Sequence, residues 1–206
     1  MTESGVPVSG AAVEVDSSLA CRALPIRRTR SSRGSRHRPG LFWSATTRGH
    51  VPYESWLELD RLWLADIDPQ VCWIAAQPVA LDGLDAGVRR CHVPDLLLSR
   101  RDAPPLLVDV KPAEFARNEA VAAVFDWTTR VAKILGWDFE VWTGADAAEL
   151  DVVRALAIGR RYHSDFSPCL QASNPRALGV LASRWSTGWV SLNGAAAEFH
   201  MTRTAR

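Results

Sequence analysis

The sequence predicts an α/β domain built on a mixed sheet, and three stretches carry that expectation. Leu106–Val110 (LLVDV) is an almost wholly apolar run of strand length, the pattern of a strand buried on both faces. Asn118–Leu135 places Val121, Val124, Phe125, Thr128, Val131, Ala132 and Leu135 on one helical face, and Gly136 follows where a left-handed C-terminal cap belongs. Phe139, Val141 and Thr143 alternate with Asp138, Glu140 and Trp142, which is the period of a strand. Strands and helices interleaved in this way define an α/β layer arrangement.

The other elements follow in chain order. Residues 1 to about 40 are small, polar and Arg-rich without sustained periodicity, so they are expected to be disordered or loosely attached. Order is expected from Leu41–Trp43. Pro52 suits the first turn of a helix, where its missing N–H costs nothing, and Trp56, Leu59, Leu62 and Trp63 continue at helical spacing to about Asp68–Pro69. Val71–Leu81 (VCWIAAQPVAL) reads as a strand that Pro78 bends or confines to an edge. Asp82–Gly83 and Asp85–Gly87 mark turns. Val88–His92 and Asp95–Ser99 read as one further strand or two short segments of one, and Asp102–Pro105 is the turn into Leu106–Val110. Ala145–Ile158 reads as a helix, Asn174–Arg184 as a candidate for one more, and the remainder as a short hairpin or frayed tail. The resulting order is α-β-β-β-α-β-α, with three regions: an arm over 1–40, a domain over 41–158 and a C-terminal extension over 159–206.

Composition narrows the class. A chain of 206 residues with 47% hydrophobic residues has material for one core, and its net charge near +1 gives no global sign of a polyanionic partner. The charge is uneven, however: seven arginines and no acid lie between Arg22 and Arg38. Such an arm suits phosphate contacts, and equally a solvated leader. Cys21, Cys72, Cys91 and Cys169 form no CxxC pair and are expected to be thiols of a reducing cytosol. No apolar run reaches membrane-span length and no secretory signal opens the chain, so a cytoplasmic protein without membrane attachment is expected.

The charged residues within the apolar runs carry the chemistry. Pro94-Asp95 precedes Asp109-Val110-Lys111 by about fourteen residues, on successive strands. Asp109 and Lys111 are two apart and therefore share a strand face. A strand this apolar should end in charge only at the edge of a pocket. Mg²⁺ takes oxygen ligands, typically one or two carboxylates completed by water and substrate oxygens. Asp95 and Asp109 are the carboxylates on offer, the Val110 carbonyl is a further donor, and Lys111 can address a water or a phosphate oxygen. Lysine itself is scarce, since Lys111 and Lys133 are the only two among 24 basic positions. That scarcity favours a chemical reason for a lysine at 111, because Lys and Arg do not substitute for each other at such sites. A third carboxylate is expected from the first helix, where Glu54, Glu58 and Asp60 are candidates, and spacing alone does not choose among them. The structural alternative is a strand-opening Asp95 and a surface Asp109/Lys111 pair. His92 lies near Asp95 in sequence but reads better as a surface or core histidine, and His50 and His163 have no evident partners. Zinc spacings, a nucleophile elbow and a phosphate-binding GxxxxGK[ST] loop are absent from the sequence.

Tyr53–Glu58, Ala76–Val79, Val93–Leu96 and Val108–Ala113, taken in order and spacing, resemble the N-terminal nuclease domain of TnsA, over roughly residues 48 to 145. TnsA is the endonuclease subunit of heteromeric cut-and-paste transposases and belongs to the PD-(D/E)xK superfamily. The resemblance implies a restriction-endonuclease-like αβββαβ core with a mixed sheet flanked by helices. The family's helix acid stands in an S-x-x-E pattern, here Ser55–Glu58, which selects Glu58. Glu58, Asp95 and Asp109, with the Val110 carbonyl, are then implied to hold Mg²⁺, with Mn²⁺ as a substitute, and Lys111 to position or activate the attacking water. Some family members carry Gln where Asp109 stands here. The implied reaction is cleavage of the 5′, non-transferred strand of double-stranded DNA at transposon ends. The implied partners are an integrase-type transposase subunit and an ATP-dependent regulator. The family's winged-helix-like C-terminal domain is matched here only by the short stretch after Ile158, so the basic arm is expected to carry more of the DNA binding. Two other readings stand beside this one: a stand-alone nuclease of restriction or repair type, and a catalytically silent DNA- or partner-binding module.

Overall fold

A computed structural model of the chain describes residues 6–11, 17–26, 39–160, 191–192 and 195–203. In chain order the elements are β1 (Val6–Ala11), α1 (Ser17–Cys21), β2 (Gly40–Ser44), β3 (Gly49–Tyr53), α2 (Trp56–Ile67), β4 (Val71–Ala76), β5 (Val79–Asp85), β6 (Val88–His92), β7 (Leu96–Arg100) and β8 (Leu106–Val110). They continue with α3 (Ala113–Ala116), α4 (Glu119–Ile134), β9 (Asp138–Trp142), α5 (Ala147–Arg160), β10 (Ser191–Leu192) and β11 (Ala195–Arg203). The expected α/β class with a mixed sheet and flanking helices is what forms.

The central sheet has the order β4-β7-β8-β9. β4 pairs antiparallel with β7, β7 antiparallel with β8, and β8 parallel with β9 after the crossover through α4. Both faces are covered, and strand alternation sorts the side chains between them. Leu97 and Leu107 join Trp127, Val131 and Ala132 of α4 in one core. Leu96, Leu98, Val108 and Val110 join Leu62 and Ala65 of α2 in the other. This two-sided burial explains why β8 reads as an unbroken apolar run rather than an alternating one.

The stretch read as one strand over Val71–Leu81 is two strands in different sheets. Gln77 sits at φ 44°, a left-handed conformation uncommon for a side-chain-bearing residue, and Pro78 after it offers no N–H. The chain therefore leaves the central sheet at Ala76 and enters a second one, β1-β11-β5-β6. Asp82–Gly83, expected as a turn, lies inside β5. The turn falls instead at Ala86 (φ 48°) and Gly87 (φ 84°), the consecutive positive φ values that a two-residue hairpin favours. Likewise Val88–His92 and Leu96–Arg100 are not pieces of one strand: Pro94 separates β6 of the second sheet from β7 of the central one.

Three further expectations need correction. Pro52 does not open a helix; it lies on β3, opposite Leu41 of β2. A two-stranded sheet is all edge, where a proline is tolerated. The buried Asp66 on α2 holds this hairpin in place, accepting from Ser44 Oγ (2.6 Å), Thr46 N (2.9 Å) and Ala45 N (3.2 Å). Second, the region over 1–40 is not wholly unstructured. β1 pairs with β11, and Ala20 and Cys21 of α1 are buried in the α4-side core. The arginines from Arg27 to Arg38 lie outside the described residues, as do His163 and the candidate helix Asn174–Arg184. Third, Cys21 and Cys91 are free thiols as expected, whereas Cys72 is disulfide-bonded. The expected hairpin near the C-terminus forms as β10 against β11. Among the described residues, no helix is long and apolar enough to cross a membrane.

Candidate active site

Register brings the two strand acids together. Leu96 pairs with Val108 across the antiparallel β7/β8 ladder, so one step further places Asp95 opposite Asp109. Asp95 lies just outside β7, its carbonyl accepts from Gln77 N (2.8 Å), and its Oδ2 accepts from Val110 N (2.7 Å). It thus ties together the ends of β4, β7 and β8. By alternation Asp109 falls on the same side of β8 as Leu107, facing α4. The side chains of Asp95 and Asp109 hydrogen-bond to each other.

Two carboxyls in contact in a site largely closed to water do not ionise alike. Burial, and next the Asp109 carboxylate, push Asp95 up to about 8, with a smaller contribution from Glu58. Burial also pushes Asp109 upward, but hydrogen bonds from His92 and Asp95 and the fields of His92 and Lys111 outweigh it, so this carboxyl lies below its ordinary value. In the metal-free protein the pair therefore retains one proton, on Asp95, around neutral pH. Lys111 Nζ is 4.0 Å from Asp109 Oδ1, and the lysine side chain is 38% exposed. Its backbone N–H is fixed to the Trp142 carbonyl of β9 (3.0 Å), which aims the β8 end at solvent.

Glu58 is placed differently. Ser55 caps α2, its Oγ accepting from Glu58 N (3.1 Å) and donating to Glu58 Oε1 (2.8 Å), while Glu58 Oε2 accepts from Glu54 N (2.8 Å). This is a capping box, and it gives the S-x-x-E pattern a local structural cause. Both Glu58 oxygens are engaged at the helix end, and the residue reaches Asp95 through its field. Asp60 points away, paired with Arg154 of α5 at 2.5 Å. Among the described residues, no three His, Cys, Asp or Glu side chains are gathered closely enough to hold a metal ion. The strand acids thus meet each other and Lys111, and the helix acid stands beside them in its cap.

The donor set still suits a hard cation. Asp95 and Asp109 present oxygens side by side, and a divalent ion commonly uses only one or two carboxylates, completing its shell with water and substrate. Burial first, and the Asp109 carboxylate second, favour the protonated Asp95, and a cation at the pair would favour its ionised form instead.

Sequence reasoning undervalued one residue here. His92, at the end of β6, places Nε2 2.6 Å from Asp109 Oδ2 and Nδ1 2.8 Å from Thr128 Oγ1 on α4. The available hint was Thr128, a polar position on the otherwise apolar stripe of that helix. His50 instead lies on the exposed face of β3, edge-on to Trp43.

The chain matches neither any model of a known protein family nor any curated protein.

Proposed function

We propose that this chain is a Mg²⁺-dependent DNA endonuclease of the PD-(D/E)xK type. In this reading it acts as a TnsA-like subunit that cuts the 5′, non-transferred strand at transposon ends, beside an integrase-type transposase and an ATP-dependent regulator. The observation that carries the reading is the pairing of Asp95 with Asp109 at adjoining strand ends, with Lys111 beside them. The sheet is compatible with it: α2, then β4, β7 and β8, then α4 and β9, follow one another in the αβββαβ order such a core would have, with the β5–β6 hairpin between its first two strands.

Mg²⁺, when bound, would supply the positive charge that a phosphodiester accumulates against during hydrolysis. Asp95 and Asp109 would hold it, with the Val110 carbonyl between Asp109 and Lys111 as a further donor and Glu58 as a ligand once it leaves its cap. The Lys111 ammonium, a compact donor on a flexible stem, would orient the attacking water or a non-bridging phosphate oxygen. Asp109 lies on β8 and Asp95 directly before β7, where Gln77 N and Val110 N hold it, so hydrogen bonds to the sheet backbone tie the two acids together.

Calorimetric titration of the full chain with Mn²⁺ and Mg²⁺, beside a nicking assay on duplex DNA with and without the transposase partner, tests the reading. Carboxylate-dependent metal binding with chelator-sensitive nicking supports it. Nicking without the partner would favour a stand-alone restriction- or repair-type enzyme, and a wild-type chain that binds neither ion would be a silent binding module. A variant separates the two roles of Glu58. Gln serves in a capping box, so Glu58→Gln is expected to stay within about 0.5 kcal/mol of wild-type stability in urea titration while losing nicking activity. Full activity in that variant would confine Glu58 to the cap.

A further inference from the structure

We infer that His92 and Thr128 form a relay that positions Asp109 for metal binding; this rests on the nuclease reading above. The relay is read from its distances. Thr128 Oγ1 has one proton and donates it to the Val124 carbonyl of its own helix (2.8 Å). The same oxygen lies 2.8 Å from His92 Nδ1, within hydrogen-bond distance. The opposite ring nitrogen, Nε2, lies 2.6 Å from Asp109 Oδ2, and because a carboxylate oxygen only accepts, this nitrogen is the donor. Both ring nitrogens of His92 are therefore engaged, one on the core hydroxyl and one on the carboxylate.

The consequence concerns which Asp109 oxygen is left for an ion. Oδ2 is occupied by His92, whereas Oδ1 faces Lys111 at 4.0 Å. Thr128 is fully buried and the carboxylate nearly so, with 3% of its side chain exposed, so the relay is held by the core rather than by solvent. Phe125, three residues before Thr128 on α4, lies against the His92 ring with centroids 6.0 Å apart. Three elements of independent origin thus converge on one oxygen: β6 from the second sheet, α4 from the crossover, and β8. Outer partners of this kind orient metal ligands, and their loss typically weakens metal binding about 10–100-fold.

The test is Mn²⁺ calorimetry on the metal-free full chain, with circular dichroism and thermal melting to establish the folded fraction. His92→Ala is expected to weaken Mn²⁺ binding about 10–100-fold. His92→Gln, whose amide nitrogen can still reach Asp109, should recover a measurable part of that loss. Thr128→Val, which keeps the side-chain shape and removes the hydroxyl beside Nδ1, should weaken binding less than His92→Ala. A purely structural role would lower the melting temperature of these variants and leave the Mn²⁺ affinity of the folded fraction unchanged, which would overturn the inference. Loss in His92→Gln equal to that in His92→Ala would overturn it too. If the wild-type chain itself binds no Mn²⁺, the nuclease reading fails first and the relay's metal role falls with it, an outcome distinct from a wild type that binds and a His92→Ala variant that binds equally well.

Discussion

Asp95→Ala and Lys111→Ala are each expected to reduce Mg²⁺-dependent nicking of transposon-end DNA, assayed with the transposase partner, by at least about 10²–10³-fold, the scale of removing one preorganised charged group from a transition state. The two losses have different origins. Asp95→Ala removes a proposed ion ligand and also the acceptor of the Val110 N–H (2.7 Å), so the β8 end loosens with it. Lys111→Ala touches no backbone partner, because that residue's N–H bond to the Trp142 carbonyl survives the change. Metal affinity should therefore collapse in the first variant and persist in the second. A nicking assay in parallel with Mn²⁺ calorimetry separates them, and wild-type cutting by both variants would remove Asp95 and Lys111 from the site. Raising Mg²⁺ should not rescue Lys111→Ala, since its defect lies in orienting the reacting groups rather than in filling the site.

The legible parts of this chain are those where one physical cause dominates. β8 and β9 were readable because burial on both faces, or on one, writes itself directly into residue type. α4 was readable from its apolar stripe and its ends, where Asn118 caps the first turn through Ala120 N (3.0 Å) and Gly136 adopts φ 69°. What resisted reading was pairing. Nothing in VCWIAAQPVAL states that its two halves belong to different sheets, because that depends on β11, over a hundred residues away, pairing with β5 (Phe199 opposite Leu81). The β2–β3 hairpin was hidden for a similar reason: Pro52 is compatible with a helix start, and only the tertiary hold of Asp66 on Ser44 and Thr46 decides against it. At the site, the Asp95/Asp109/Lys111 grouping followed from strand period and order alone. The His92 relay did not, since a histidine's partner lies across space and its sequence neighbours carry no trace of it. Glu58 shows the converse limit. One S-x-x-E pattern satisfies both a helix cap and a family's ligand position, and the pattern cannot say which need shaped it.

Asp95→Asn is expected to stabilise the metal-free protein at neutral pH while abolishing nicking. Asn reproduces the protonated carboxyl: its oxygen can accept from Val110 N and its amide can donate to Asp109. The sign follows from linkage. Below the ordinary carboxyl value of 3.8, Asp95 is protonated in both folded and unfolded chains and contributes nothing. Between 3.8 and about 8 the unfolded chain releases that proton while the folded chain keeps it, so folding grows less favourable as pH rises. The loss is at most about 1.4 kcal/mol per pH unit, and it levels off above the folded value. Asp109 acts in the opposite sense. Its depressed folded value gives stability that is present above 3.8 and lost as pH falls through the lowered one. The pair's joint contribution therefore peaks near pH 4 and declines toward pH 8. Thermal melts of wild type in chelator should show that decline, and Asp95→Asn should flatten it, its advantage reaching the order of a few kcal/mol near pH 8. Millimolar Mg²⁺ should narrow the gap by stabilising wild type alone, because an ion that binds only the folded, ionised pair raises stability by mass action. Parallel pH profiles for the two proteins in chelator would remove the buried, proton-sharing pair from the account of this site.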